Sequence, residues 1–320
     1  MKFKTEIQIP FFDFKISHHD KIMMLGSCFA ENISKRMQSA GFCVNTNPFG
    51  IMYNPGSVFK NIQTIISCKK YSISDIFESQ GLYHSFDHHG KYSDISPENC
   101  IHTINKEVES AHIFLKQASI LVITFGTAFV YSLKSNGFIV SNCHKLPEKT
   151  FERRRLNVGE IVEDWGNLLK ELHDYNPGLK ILFTVSPIRH WKDGAHENQL
   201  SKSTLLLAID ELVRNHKHCC YFPSYEIMMD DLRDYRFYAD DMLHPSDLAI
   251  EYIWEKFSAA FFEKKTIALI DEWTKIKQAL EHKPFNPDSE QYKAFLLAAQ
   301  KRLDEFMAKY NLLNHIDTIE

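Results

Sequence analysis

Ser27, Asp241 and His244 have the side-chain types that covalent acyl chemistry needs: a hydroxyl to attack a carbonyl, an imidazole to carry its proton, and a carboxylate to hold that imidazole in one tautomer. The spacing Asp-x-x-His is short enough for one turn to bring the two downstream side chains together. Asp240 is the neighbouring carboxylate, at i+4 rather than i+3 from His244. The run Ile22-Met23-Met24-Leu25 reads as a buried strand, Gly26 permits a tight turn, and residues 28–40 have helical periodicity, which puts Ser27 at a strand-to-helix junction. Such a junction exposes a nucleophile and brings the N–H groups of a helix N-terminus close to a reacting carbonyl. Taken alone, Gly26-Ser27 is more simply a helix cap, because serine accepts N–H bonds well there. The Asp-x-x-His pair, followed by Pro245 and a helical stretch, moves the balance toward catalysis.

Competing chemistry has thinner support. Cys28, beside Ser27 and near a helix N-terminus, has the placement of a thiol with lowered pKa, although packing the helix against the sheet is its plainer role. His84, Asp87, His88 and His89 are metal-ligand types without a recognised ligand spacing, so a polar loop at the rim of a cleft is preferred to a metal site. Arg189, His190, His144 and Lys145 could orient a polar or anionic acyl acceptor, with pairing to nearby carboxylates an equal alternative. Ser57-x-x-Lys60 and Ser67-x-x-Lys70 match a Ser-Lys hydrolase pattern that arises easily by chance. The sequence contains no Walker loop, H-E-x-x-H or strand-linked G-x-G-x-x-G, and neither a metal nor a cofactor is expected.

The elements that must position these groups follow from the apolar pattern. Short apolar runs over 22–25, 120–125, 181–185 and 219–222 read as strands, and helical spacing covers roughly 28–40, 105–117, 160–175, 200–216 and 247–262. Strands alternating with helices imply α/β architecture: a three-layer, doubly wound parallel sheet with right-handed crossovers. Ligands of such sheets bind beyond the carboxyl ends of the strands, where Ser27, Gly126-Thr127 and Ser186-Pro187 all fall. Residues 42–119 fit the alternation less well and read as a loop-rich insertion at the cleft. The catalytic domain is placed at 1–262. A C-terminal helical extension follows at 263–320, interrupted at His282-Lys283-Pro284-Phe285-Asn286-Pro287. Its second helix carries Tyr292, Phe295, Leu296, Ala299, Leu303, Phe306, Met307 and Tyr310 at helical spacing, a stripe for packing on the core or, alternatively, for a homo-oligomer.

Length and composition bound the remaining possibilities. A chain of 320 residues with 44% hydrophobic content can build one sizeable core. Its 37 Lys plus Arg are balanced by 41 Asp plus Glu, which argues against a nucleic-acid partner. No stretch approaches roughly 18 apolar residues and the first twenty are interrupted by charge, so no membrane association and a cytoplasmic location are expected. Cysteines at 28, 43, 68, 100, 143, 219 and 220 are odd in number and lack C-x-x-C, as reduced thiols would be.

Gly26-Ser27-Cys28-Phe29-Ala30 is the signature that names the GSCFA family, and the chain resembles that bacterial group, which is itself similar to the SGNH, or GDSL-like, hydrolases. The likeness continues in order through Asn47-Pro48-Phe49-Gly50, Thr124-Phe125-Gly126-Thr127-Ala128, Asn142-Cys143-His144-Lys145, Ser186-Pro187-Ile188-Arg189-His190, Ser201-Lys202 and Asp241-x-x-His244, and so covers nearly the whole chain. What the resemblance implies is an acyl-ester hydrolase or acyltransferase forming an acyl-enzyme on Ser27. His244 would move the proton and Asp241 would orient it. The N–H groups of Ser27 and of Gly50 would contribute to an oxyanion hole. In the wider SGNH pattern the strand matching 120–125 ends in Gly-x-Asn, whose amide also donates to the oxyanion. Here Ala128 stands in that place after Gly126, which leaves Asn47 or Asn142 to supply a substitute. The expected substrate is a small acyl or acetyl ester, with a carbohydrate acceptor suggested by fold-level analogy alone. Two other classes stay open: a non-catalytic ligand-binding or interaction module that retains the cleft, and a metal-dependent phosphoester hydrolase.

Overall fold

The computed structural model describes residues 5–310. In chain order, β1 (Lys21–Gly26), α1 (Cys28–Ser39), β2 (Cys43–Thr46) and α2 (Pro55–Ser67) are followed by the hairpin β3 (Phe77–Ser79) and β4 (Leu82–His84). Next come α3 (Pro97–Gln117), β5 (Ile120–Phe125), β6 (Phe129–Leu133), β7 (Ile139–Val140), β8 (Phe151–Arg155) and α4 (Val158–Tyr175). The chain continues through β9 (Lys180–Val185), α5 (Gly194–Asn215), β10 (Cys219–Tyr221), the single turn α6 (Ser224–Glu226), α7 (Asp247–Phe261), α8 (Lys264–Leu280) and α9 (Glu290–Tyr310).

The expected strands pair in parallel, and the central sheet has the order β10-β9-β5-β1-β2. From β1 the chain moves outward to β2, then returns across β1 to β5 and proceeds in the other direction. The order therefore reverses between β1 and β5, and the crevice beyond their carboxyl ends is the natural ligand site of a doubly wound sheet. Ser27 follows β1 directly and Gly126 follows β5, so both flank that crevice.

Alternate side chains of each strand enter opposite cores, which is why the strands read as unbroken apolar runs. Met23, Leu25, Ile123, Phe125 and Phe183 pack beneath Ile62 of α2, Val108 of α3, Trp165 of α4 and Leu205 of α5. Ile22, Met24, Val122 and Leu182 face Ile33 and Met37 of α1 and Ile253 and Phe257 of α7. The result is the three-layer α/β arrangement implied by the sequence.

The loop-rich insertion read at 42–119 holds more regular structure than the helix expected at 105–117. Its start is β2, an edge strand paired with β1, and α2 and α3 occupy much of the rest. Irregular chain is concentrated between Ser67 and Pro97. Cys-Val-Asn-Thr is half-buried at the sheet edge and has no apolar run to mark it as a strand in the sequence. Helix α3 begins well before residue 105, with Ser96 accepting from the Asn99 N–H and Pro97 in the first turn. A small antiparallel sheet, β7-β6-β8, had not been foreseen.

Helices α8 and α9 pack on each other through Leu269, Trp273, Ile276, Phe306 and Met307. Trp273 ties the pair to α1: its Nε1–H donates to Ser39 O at 3.0 Å, and its indole packs within 3.3 Å of where a Cβ on Gly41 would stand. The extension placed at 263–320 is thus seen as far as Tyr310, and its last ten positions lie outside the described residues.

Candidate active site

Ser27 occupies its junction because Gly26 lets two strand ends come together. Gly26 has φ +132°, and a Cβ there would stand 2.1 Å from Thr124 O, so no other residue fits without moving the backbone. Ser27 itself is extended (φ −72°, ψ 174°), caps α1 and is completely buried, with its Oγ accepting from the Phe29 N–H at 3.3 Å. Its own N–H donates to Thr124 O at 3.2 Å, and the Gly50 N–H donates to Asn47 O at 2.8 Å. Both amides expected at an oxyanion are therefore engaged with internal carbonyls. Gly50 has a second reason to be glycine: at φ +100° a Cβ would lie 2.2 Å from His89 Cβ.

Gly126 joins Ser27 to a histidine. A Cβ on Gly126 would meet His190 Nε2 at 2.9 Å, Tyr53 O at 3.2 Å and Ser27 Cβ at 3.4 Å, which places the imidazole edge beside the serine. The His190 N–H is fixed by Asn198 Oδ1 at 2.9 Å and its ring stands edge-on to Tyr53, while Nε2 is buried without a hydrogen-bond partner. Burial, followed by the charges of Lys202, His244 and Arg153, holds the His190 pKa down to about 3. The imidazole is accordingly neutral across the ordinary working range.

Lys202, named in the sequence but given no role, is the structural clamp of this corner. Its fully buried ammonium donates to Gly126 O at 2.6 Å and Ser186 O at 2.7 Å, joining the carboxyl ends of β5 and β9. Burial, helped by Arg189, lowers its pKa to about 7. The adjoining Ser201 Oγ accepts from the Ala128 N–H at 2.8 Å and lies 3.1 Å from Thr127 Oγ1. A lysine at helical spacing in α5 carries no sign in the sequence that it points inward. Only the tertiary position of the two carbonyls reveals it.

Asp241 and His244 pair as their spacing promised. Asp241 Oδ2 lies 2.5 Å from His244 Nδ1, and Oδ1 accepts from the N–H groups of Leu243 and His244, each at 2.9 Å. Those two backbone donors first, and then the imidazole, draw the exposed Asp241 carboxyl down to about 2. The tight turn is completed by Met242 at φ +59°. Asp241, rather than Asp240, is the partner. The turn rests on the segment that carries His190, since the Arg189 N–H donates to Leu243 O at 3.4 Å and the charge of His244 is felt at His190. Ser27, Gly126, His190 and the Asp241–His244 turn are thus linked in sequence around one corner of the crevice.

The remaining candidates divide. Asn47 lies close by: Gly26 N–H donates to its Oδ1 at 2.8 Å, and its Nδ2 is buried without a partner. Asn142 Oδ1 and the His144 ring are bonded elsewhere. The Asn142 Oδ1 accepts from the His144 N–H at 2.8 Å, and His144 Nε2 meets Ser85 O at 2.7 Å while its ring tilts against His84. Both are anchored to the loop that follows β4, so Asn142 is not brought beside Ser27 by any of these bonds. Arg189 lies over Trp191 and, with Tyr235, Tyr238, Asp241 and Met242, lines a cavity of about 580 Å³ next to the Asp-x-x-His turn.

The histidine-rich loop is an internal scaffold. His88 is buried among Phe49, Tyr71 and Tyr92 and bonded to Ser85 Oγ at 2.9 Å, and Asp87 binds Lys60 and Tyr71. Among the described residues no group of three or more His, Cys, Asp or Glu is arranged to hold a metal ion. The Ser57 and Lys60 side chains bond separately, to Val140 O and to Asp87 and Ile139 O. Cys28 Sγ faces Tyr53 Oη at 3.8 Å.

A family profile described as the GSCFA family matches residues 21–257, and a second, described as the GSCFA domain protein C-terminal domain, matches 273–320. No curated protein matches the sequence. Among solved structures, a carbohydrate esterase family 3 protein from Talaromyces cellulolyticus is similar at 11% identity and TM-score 0.34, covering 79% of this chain and 99% of that one. A family two carbohydrate esterase from Clostridium thermocellum, solved in complex with cellohexaose, gives 12% identity and TM-score 0.36, with 79% and 66% covered. The acetyl xylan esterase Est2A from the rumen bacterium Butyrivibrio proteoclasticus gives 10% identity and TM-score 0.38, again over 79% and 66%. Among the described residues no helix is long and apolar enough to cross a membrane.

Proposed function

We propose that this chain, which belongs to the GSCFA family, is a serine-dependent acyl-ester hydrolase or acyltransferase that passes through an acyl-enzyme on Ser27. The observation that carries this reading is the seat of Ser27 at the reversal point of the sheet, with the bonded Asp241–His244 pair resting on the segment that reaches it. Ser27 Oγ forms a bond to the acyl carbon as its proton passes to His244 Nε2. Collapse of the tetrahedral adduct breaks the ester C–O bond, and the same proton goes to the departing alkoxide. Water, or the hydroxyl of a second substrate, then repeats the attack with His244 acting first as base and afterwards as acid. Asp241 keeps the imidazole in the tautomer whose Nε2 can accept.

Ser27 is fully buried, with Gly126 beside its Cβ and His190 against that same glycine, and so confined a position favours a small acyl group such as acetyl. The open cavity beside Asp241, edged by Trp191 and Tyr235, gives the alcohol half of the ester a polar and aromatic wall. Carbohydrate esters are the first class of acyl donor to assay. A fluorophosphonate probe should label the wild-type chain and fail to label Ser27→Ala, which should also lose turnover of p-nitrophenyl acetate. A folded wild-type chain that takes no label would favour a ligand-binding module that keeps the cleft without the chemistry.

A further inference from the structure

We propose that His190 is a catalytic residue whose Nε2–H donates a hydrogen bond to the oxyanion formed at Ser27. The assignment rests on the acyl-transfer reading above and adds to it the donor for the developing charge. A tetrahedral intermediate needs preorganised donors close to the nucleophile, and two N–H groups expected to serve, those of Ser27 and Gly50, are already bonded to Thr124 O and Asn47 O. Ala128, where a strand-end amide was looked for, offers a methyl group, and its N–H is held by Ser201. His190 Nε2, by contrast, is a buried nitrogen without a hydrogen-bond partner, as is Asn47 Nδ2 behind the Gly26 N–H. The His190 nitrogen lies against Gly126 on the same side as Ser27 Cβ, both within contact distance of the missing Gly126 Cβ. Of the buried polar atoms left open among the described residues, this one stands beside the nucleophile, where a partner could arrive with the substrate.

The surroundings suit donation and oppose proton uptake. Burial first, and then Lys202, His244 and Arg153 whenever they carry a proton, keep the ring of His190 uncharged. The same charges favour an anion beside the ring. A histidine so strongly resistant to protonation is a poor general base, but a neutral imidazole N–H can still polarise a carbonyl oxygen, as a pKa-lowered histidine does in other enzymes. Lys202 acts here as a positioning residue, since it holds Gly126 O and Ser186 O and so fixes the gap into which Nε2 points. Gly126 is required by the same geometry, because a Cβ would occupy the approach to Nε2.

The experiment compares the full-length wild type with His190→Ala, His190→Phe and His190→Gln, and with Ser27→Ala as the inactive control. It measures kcat and KM for p-nitrophenyl acetate, the rate of fluorophosphonate labelling and thermal unfolding. Loss of one oxyanion donor should lower kcat by about 10²–10³-fold, with KM altered far less, in both His190→Ala and His190→Phe. Labelling, which also creates negative charge on oxygen, should slow in parallel. His190→Gln retains an N–H donor of similar reach and should recover at least about tenfold over His190→Phe. Folded Ala and Phe variants that turn over within about threefold of wild type would overturn the assignment, as would a Gln variant no faster than Phe. Should the Ala variant unfold, the Phe and Gln pair still decides. A wild-type chain that takes no label overturns the serine reading itself, and the assignment with it. Normal wild-type labelling with indifferent His190 variants removes the assignment alone.

Discussion

At the scale of single residues, Asp241 does two jobs with one carboxylate. Oδ1 shapes the turn by accepting two backbone N–H groups, and Oδ2 holds the imidazole of His244. Asp241→Asn keeps the size but must present an N–H either to those backbone donors or to Nδ1. We expect kcat to fall on the order of 10²–10⁴-fold with thermal unfolding nearly unchanged, because both partners are largely exposed. Asp240→Asn is the control. Normal turnover in the Asp241 variant together with a crippled Asp240 variant would reverse the choice of carboxylate. The sequence displayed Ser27, Asp241 and His244 because their chemistry is local: a junction glycine, a short apolar run and an i+3 spacing. In the sequence His190 is a candidate substrate contact with no particular step, and Lys202 is part of a motif with no role. Their meaning depends on Gly126 O, Ser186 O and Ser27 converging from separate strands. Asn142 has the right side chain, but its Oδ1 accepts from the His144 N–H and its backbone N–H donates to Phe86 O, which ties it to another loop.

At the scale of elements, the position of the nucleophile depends on how closely β1 approaches β5. Gly26 pairs with Thr124 in register, and its φ of +132° turns the chain sharply from strand into α1. Gly26→Ala adds a methyl group that would overlap the Thr124 carbonyl, and it also places a side chain where L-residues are strained. Since the obstacle is backbone, no rotamer change relieves it. We expect destabilisation of about 3 kcal/mol or more, measured by denaturant unfolding, with ester turnover lost in whatever folded fraction remains. Stability within about 1 kcal/mol of wild type would show that the junction is more compliant than its contacts indicate. The elements legible in the sequence are those buried on both faces, such as β1, β5 and β9, whose apolar runs are interrupted only by the buried Thr124 and Thr184. By contrast, β2 is a half-buried edge, and β6 to β8 form a small sheet in which Phe129–Leu133 alternates partly and fully buried positions. Pairing partners far along the chain define such strands, and local hydrophobicity marks them weakly.

At the scale of the whole molecule, the buried titratable groups bound the pH range over which this fold is most stable. Burial holds His88 down to about 4 and His190 down to about 3, whereas in the unfolded chain a histidine titrates near 6.5. Between those limits the unfolded chain binds more protons than the native one, so stability rises with pH and is lost as the solution is acidified below about 6.5. The slope is at most about 1.4 kcal/mol per pH unit for each histidine. On the alkaline side the signs reverse. Burial raises the thiols of Cys219 and Cys220 and the phenols of Tyr71, Tyr92 and Tyr221, and these groups stay protonated in the fold after their unfolded counterparts begin to ionise. Their contribution declines as pH passes roughly 8.5–10. Lys202, held down to about 7, opposes them by favouring the fold as pH rises from there toward its unfolded value. Unfolding free energies from urea titrations, followed by tryptophan fluorescence, should therefore fall from pH 6.5 to 4. His88 sits among Phe49, Tyr71 and Tyr92, so an aromatic replacement has rings to pack against. His88→Phe should remove up to about 1.4 kcal/mol per pH unit from the acid slope while leaving Ser27 chemistry intact. An unchanged slope in that variant would mean that His88 is not excluded from protonation by its aromatic enclosure, and the acid limb would have to come from other groups.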